Sequence, residues 1–163
     1  IYENLVSGAV DATEWVGPYN DFFMKFYEAA KYYYWPGMHE PGSQLAFGMN
    51  KAFWDGLSDN HKHLIHAACN EENARQMAET MANNGNYLQK LVTEHGVELR
   101  EFNDDVYASF AEASTEVVEE AREHSDLSAR IFDSVIKARQ EIGGFHAIAD
   151  VAFVTKRNEA LDL

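Results

Sequence analysis

One long proline-free stretch constrains this chain more than anything else in it. It runs from Asp59 to His95, with Ser58 before it and Gly96 after it. Ser58 suits a helix N-cap and Gly96 suits the left-handed residue that stops a helix. Met77, Met81, Leu88, Leu91 and Val92 recur on one helical face. The spacing therefore predicts a single long helix, with a kink at Gly85, which sits among asparagines.

The rest of the chain is arranged around that helix. The first fifty residues hold all three prolines, and short elements alternate there with tight turns. Val10–Trp15 is expected as a strand ending at Gly17-Pro18, and Asn20–Ala30 as a short helix with a Phe22, Phe23, Phe26 stripe. Lys31–Trp35 reads as a buried aromatic strand, Pro36–Gly42 as a loop and Ser43–Asn50 as a further strand. Lys51–Gly56 is a short helix. Val97–Phe102 alternates as a strand. A helix opens at Asp104 with Val106, Phe110, Ala113, Val117 and Ala121 facing inward. Another spans Leu127–Ile142, and Gly143-Gly144 separates it from a last one beginning at Phe145. Three strands around so long a helix do not close a domain by themselves. The pattern points to one lobe of a larger α/β protein. The chain also opens on Ile1, directly within helical sequence (Tyr2–Ser7), as a processed chain or fragment would.

Composition excludes several functions. Acidic residues outnumber basic ones 27 to 13, for a net charge of −14. That argues against nucleic acid and against an anionic membrane surface, both of which need clustered Lys and Arg. An anionic ligand would need local donors, because the overall field repels it. Cys69 is the single cysteine, so an internal disulfide and a cysteine-based metal knuckle are both excluded. Its helical setting reads as a buried structural thiol. No apolar run reaches membrane-spanning length, and no signal peptide is recognisable.

Glu14 and Trp15 fall at the end of one expected strand, and Glu40 in the Pro/Gly-bounded loop after another. Ligands in open α/β sheets sit beyond the carboxyl ends of strands, so Glu14 and Glu40 could share a pocket. Carboxylates with backbone carbonyls suit a hard cation such as Na⁺ or Ca²⁺. Trp15 would contribute its carbonyl and wall the pocket with its ring, since an indole has only a donor. On spacing alone, Glu14 as a solvated acid and Trp15 as core is the plainer alternative. Glu14 and Glu40 as the acid and base of a lyase or hydrolase is another, and a helical docking module is a third. His61, His63 and His66 lack the acid spacing of a zinc motif and read as a solvated face. His39 and His146 specify no triad. Glu119 and Glu123 belong to an exposed acidic face.

Four segments taken together resemble a known family: "SGAVDATEWVGPYND", "AKYYYWPGMHEPG", "LAFGMNK" and "HGVELREF". They are similar to the extracytoplasmic solute-binding subunits of TRAP transporters, and most similar to the branch that binds 2-oxo and 2-hydroxy monocarboxylates. The resemblance covers essentially the whole chain and corresponds to the C-terminal half of such a subunit. It implies a type II periplasmic-binding-protein fold. Residues 1–57 and 97–102 would form the lobe sheet and pocket loops, 58–96 the long interlobe helix, and 104–163 the C-terminal helices. It implies a periplasmic receptor, not an enzyme, that captures an acid such as pyruvate or lactate and delivers it to membrane permease subunits. By the same resemblance Glu14, Trp15 and Glu40 bind substrate and a cation, Na⁺ or Ca²⁺. The family's carboxylate-clamping Arg and metal-binding Gln lie in the other half. Met38 stands where this branch usually has Trp, which bears on substrate size. A homodimer exchanging Phe145–Leu163 about Gly143-Gly144 is implied too, with Ile148, Val151 and Ala152 as the apolar face.

Overall fold

The computed structural model describes residues 1–39, 42 and 45–162. Its elements are α1 (Tyr2–Ser7), α2 (Pro18–Phe23), a 3₁₀ turn (Phe26–Glu28), β1 (Tyr32–Trp35), α3 (Lys51–Asp55), α4 (Asp59–Thr93), β2 (Glu98–Glu101), α5 (Asp104–Glu123), α6 (Asp126–His146), a π-helical turn (Ala147–Val151) and α7 (Ala152–Leu161). They fall into two compact units, Ile1–Phe102 and Asn103–Leu163.

The long helix forms as its ends dictate. Ser58 Oγ accepts the His61 N–H at 3.3 Å, a side-chain cap on the first turn. At the other end Gly96 takes φ 67°, in the left-handed region, and the Val97 N–H reaches back to the Leu91 carbonyl at 3.0 Å. Gly85 does not interrupt it. The same closure buries Leu91 and Val97, which with Phe26 make the small core of the first unit.

Beyond that turn β2 lies parallel to β1, pairing Tyr32 with Glu98 and Trp35 with Glu101. The Glu98 N–H donates to the Lys31 carbonyl (2.9 Å) and the Phe102 N–H to the Trp35 carbonyl (2.8 Å), so the ladder begins before β1 and runs on past β2. Lys31 Nζ also meets Glu98 Oε1 at 2.6 Å on this exposed edge.

Several expectations are corrected. Val10–Trp15 is irregular, not a strand, as are residues 45–50; Ser43 and Gln44 lie outside the described residues. The sheet therefore has two strands among the described residues. The Asn20–Ala30 helix begins earlier, at Pro18, whose fixed φ and missing N–H suit the first turn. It ends at Phe23, and Lys25 enters the left-handed region before the 3₁₀ turn. Tyr32, Tyr34 and Trp35 are exposed, not buried. Cys69 is exposed as well.

In the second unit Ser125 Oγ caps α6 through the Ser128 N–H at 3.1 Å, and Arg122 Nε meets Asp133 Oδ1 at 3.3 Å between α5 and α6. The intended inward face of α5, including Val106, Phe110 and Val117, is exposed. Gly143-Gly144 does not break the helix, which runs on through the π turn into α7. Two glycines cost about 2 kcal/mol of helix propensity together, too little to interrupt a helix hydrogen-bonded on both sides.

If Leu91 anchors the first unit, burial predicts its mutational cost. Leu91 is 2% exposed and Met81 on the same helix is 72% exposed. Leu91→Ala should lower the unfolding free energy of the chain by about 2–4 kcal/mol. Met81→Ala should change it by less than about 1 kcal/mol. Denaturant titration of both variants separates the two outcomes.

Candidate functional site

Glu14 and Trp15 sit on the irregular segment that leads into α2. Gly8, at φ 72°, closes α1, and the chain then runs without regular structure to Gly17. The Thr13 hydroxyl donates to the Glu14 carbonyl at 3.2 Å. Trp15 is 45% exposed. Trp15 and Thr13 line a small cavity of about 80 Å³ together with Asp21, Phe26, Tyr33 and Leu91. This places the Glu14-Trp15 junction over the core of the first unit.

Asp21 is the unexpected member of this group. It is only 7% exposed, although it is an acid. The Tyr33 hydroxyl, from β1, donates to Asp21 Oδ2 at 2.6 Å. Asp21 Oδ1 and the neighbouring Asn20 Oδ1 are buried without a hydrogen-bond partner. Burial holds the Asp21 carboxyl above the ordinary aspartate value, and the negative charge of Glu14 adds to the shift. The Tyr33 hydroxyl and the Gly17 backbone act in the opposite direction. Burial pushes the Tyr33 phenol upward too, aided by its bond to Asp21, so it remains the donor. Asp21 and Trp15 thus line the same aromatic cavity, with the charge of Glu14 close enough to act on the Asp21 carboxyl.

The junction is held from the far side by α4. The Tyr19 N–H donates to Asn84 Oδ1 at 3.1 Å, and the Tyr19 hydroxyl to Glu79 Oε1 at 2.9 Å. The rings of Tyr19 and Phe22 pack on Tyr87 with centroids 5.0 and 4.9 Å apart, and Lys90 Nζ lies 4.7 Å from the Tyr87 ring centre. Tyr27 stacks on His95 at 3.9 Å.

The other candidates lie elsewhere. Glu40 falls outside the described residues. His61 and His63 are exposed on α4, and His66 rests edge-on against Trp54. His146 pairs with Asp150 one turn along its own helix, 3.0 Å away. Among the described residues no three His, Cys, Asp or Glu gather closely enough to hold a metal ion. Glu14, the Trp15 carbonyl and Glu40 contain two acids, and their all-oxygen chemistry fits a hard cation. The sequence offers Tyr33 only as one hydroxyl of the aromatic run, and it does not single out Asp21 or Asn84. Only the run of asparagines in mid-helix was a signal, for Asn84.

Residues 1–124 match the model of the bacterial extracellular solute-binding proteins, family 7. The chain belongs to that family. Its members are solute-binding proteins and not enzymes, so the lyase or hydrolase reading of Glu14 and Glu40 falls. A monocarboxylate 2-oxoacid-binding periplasmic protein of Nostoc sp. is 28% identical over 153 residues, which cover 94% of this chain and 42% of that protein. A TRAP transporter solute-binding protein from Bordetella bronchiseptica has the same fold, with TM-score 0.87 and 28% identity over 99% of this chain and 48% of the other. It was crystallised as a mixed-occupancy dimer, with copurified calcium and picolinate in one active site and the other site apo. The chain thus spans less than half the length of each, and its fold is part of a type II periplasmic-binding architecture. No described helix is long and apolar enough to cross a membrane.

The raised Asp21 pKa has a definite sign. An acid that holds its proton more tightly when folded lends stability at low pH, and loses it as pH rises from the unfolded to the folded value. Asp21→Asn removes that loss and still accepts from Tyr33. Its melting temperature should therefore gain on wild type as pH rises from about 4 to about 7. A constant difference across that range would contradict the buried-acid assignment.

Proposed function

We propose that this chain is part of the periplasmic receptor of a TRAP-type secondary transporter, binding a short 2-oxo or 2-hydroxy acid such as pyruvate or lactate together with a hard cation, Ca²⁺ or Na⁺. The observation that carries the reading is the junction itself. Trp15 and the buried Asp21 line one aromatic-walled cavity, and the negative charge of Glu14, next to Trp15 in the chain, is felt at Asp21. The sign of the charge explains the cation. An anionic acid cannot approach this acidic edge directly, and a cation between Glu14, the Trp15 carbonyl, Glu40 and the ligand oxygens reconciles the two. The names of the Nostoc and Bordetella relatives support the acid and the calcium respectively.

In this reading the bound acid closes two lobes by a hinge movement, and the closed receptor docks on the membrane permease subunits. Leu64, Met77 and Met81, exposed on α4, are the surface the remaining lobe covers. A homodimer belongs to the proposal because the Bordetella protein is one. Exchange of an arm about Gly143-Gly144 does not, since the helix passes through those glycines.

Calorimetry on the full-length polypeptide tests the proposal. Pyruvate should bind in the presence of Ca²⁺ or Na⁺ and more weakly in their absence. Glu14→Ala and Glu40→Ala should each weaken binding at least about tenfold, as loss of one partner in a charged contact does. His63→Ala should leave it unchanged. Absence of heat with every short 2-oxo and 2-hydroxy acid would refute the substrate class.

A further inference from the structure

Asn83-Asn84-Gly85-Asn86 places four poor helix formers in the middle of α4, and the helix continues through them. Asn83 satisfies itself locally, donating from Nδ2 to the Glu79 carbonyl at 2.8 Å. Asn84 does not. Its Oδ1 leaves the helix and accepts the Tyr19 N–H at 3.1 Å, across 65 positions of sequence.

The recipient explains the arrangement. A helix start leaves its first N–H groups without partners, and the residue before the helix ordinarily supplies a side-chain oxygen to one of them. Here that residue is Gly17, which has no side chain, and Pro18 follows with no N–H. Tyr19 is therefore the first donor that needs an acceptor, and α4 supplies it. Gly17 suits the approach through its backbone: its φ of 156° is one that residues with a side chain rarely adopt, and a Cβ there would be in ordinary contact distance of Asn84 Oδ1, at 3.5 Å. The Tyr19 hydroxyl adds a second strut to Glu79, one turn earlier on α4. Four residues downstream of Trp15, the backbone and side chain of Tyr19 are thus both fixed to the long helix.

We infer that Asn84 is a positioning residue for the cation–carboxylate site: by capping α2 from α4 it fixes the Glu14-Trp15 junction in place without touching the ligand. The inference rests on the function proposed above. It assigns the mid-helix asparagine a purpose that its own helix does not need.

The test compares wild type, Asn84→Ala and Asn84→Asp in the full-length polypeptide. Alanine is the better helix former, so a loss in Asn84→Ala cannot come from a weakened α4. Aspartate keeps the acceptor. Amide exchange of the Trp15–Phe23 segment is measured without ligand, and pyruvate affinity is measured calorimetrically in Ca²⁺. Asn84→Ala should speed exchange at Tyr19 and weaken pyruvate binding, each by about fivefold, the usual effect of losing a cap. Asn84→Asp should stay within about twofold of wild type on both. Wild-type affinity in Asn84→Ala, or equal losses in both variants, would overturn the inference. Failure of wild type to bind any short 2-oxo or 2-hydroxy acid would instead refute the proposed substrate. The cap would then stand or fall on exchange alone: unchanged exchange in Asn84→Ala overturns it, and faster exchange restored by aspartate supports it.

Discussion

Two parallel strands cannot be joined by a tight turn; the chain must travel back to the starting end before the second strand begins. That requirement governs the first unit. β1 and β2 pair over four residues each, and α3 and α4 form the return path between them. The closure after α4 sets where β2 begins, through Gly96 and the Val97–Leu91 hydrogen bond. The same few residues bury Leu91 and Val97 beneath the cavity that Trp15 walls. Strand register, core and candidate site therefore share one structural origin.

A buried acid is costly unless something compensates it. Asp21 has one strong donor in Tyr33 and one oxygen with none. It ties α2 to β1 while Asn84 ties α2 to α4, so a helix of six residues is held by sheet and long helix together. Such a short helix has little stability of its own. Its placement comes from these contacts and from the aromatic packing of Tyr19 and Phe22 on Tyr87. The irregular Glu14-Trp15 segment has few internal constraints and is positioned by what lies on either side of it.

The elements with strong local signals were readable in the sequence. Ser58 and Gly96 mark the ends of α4, and the aromatic run marks β1, because caps and β-propensity act within a few residues. Elements that depend on distant partners were not. Val10–Trp15 alternates well enough for a strand but has no strand to pair with among the described residues. Gly143-Gly144 reads as a break by glycine propensity alone, but the helical hydrogen bonds on both sides carry α6 through it. The aromatic strand was expected inside because its residues are large and apolar, yet only Tyr33 is drawn toward the core, by Asp21. Within the site, Glu14 and Trp15 were legible as a motif. Asp21, Asn84 and the partner of the Tyr33 hydroxyl were not, since these contacts span 12 and 65 residues.

The π-helical turn at Ala147–Val151 has a geometric consequence for the second unit. A wider turn admits an additional residue, and each residue advances an α-helix by about 100°. The azimuth of side chains beyond Val151 is therefore rotated from where a uniform helix starting at Asp126 would set them. Leu127, Ile131 and Val135 recur every four residues on α6, and the wider turn at Ala147–Val151 shifts the phase of the exposed Phe153 and Leu161 beyond it. A partner surface lying along this rod would have to follow a stepped track instead of a straight one.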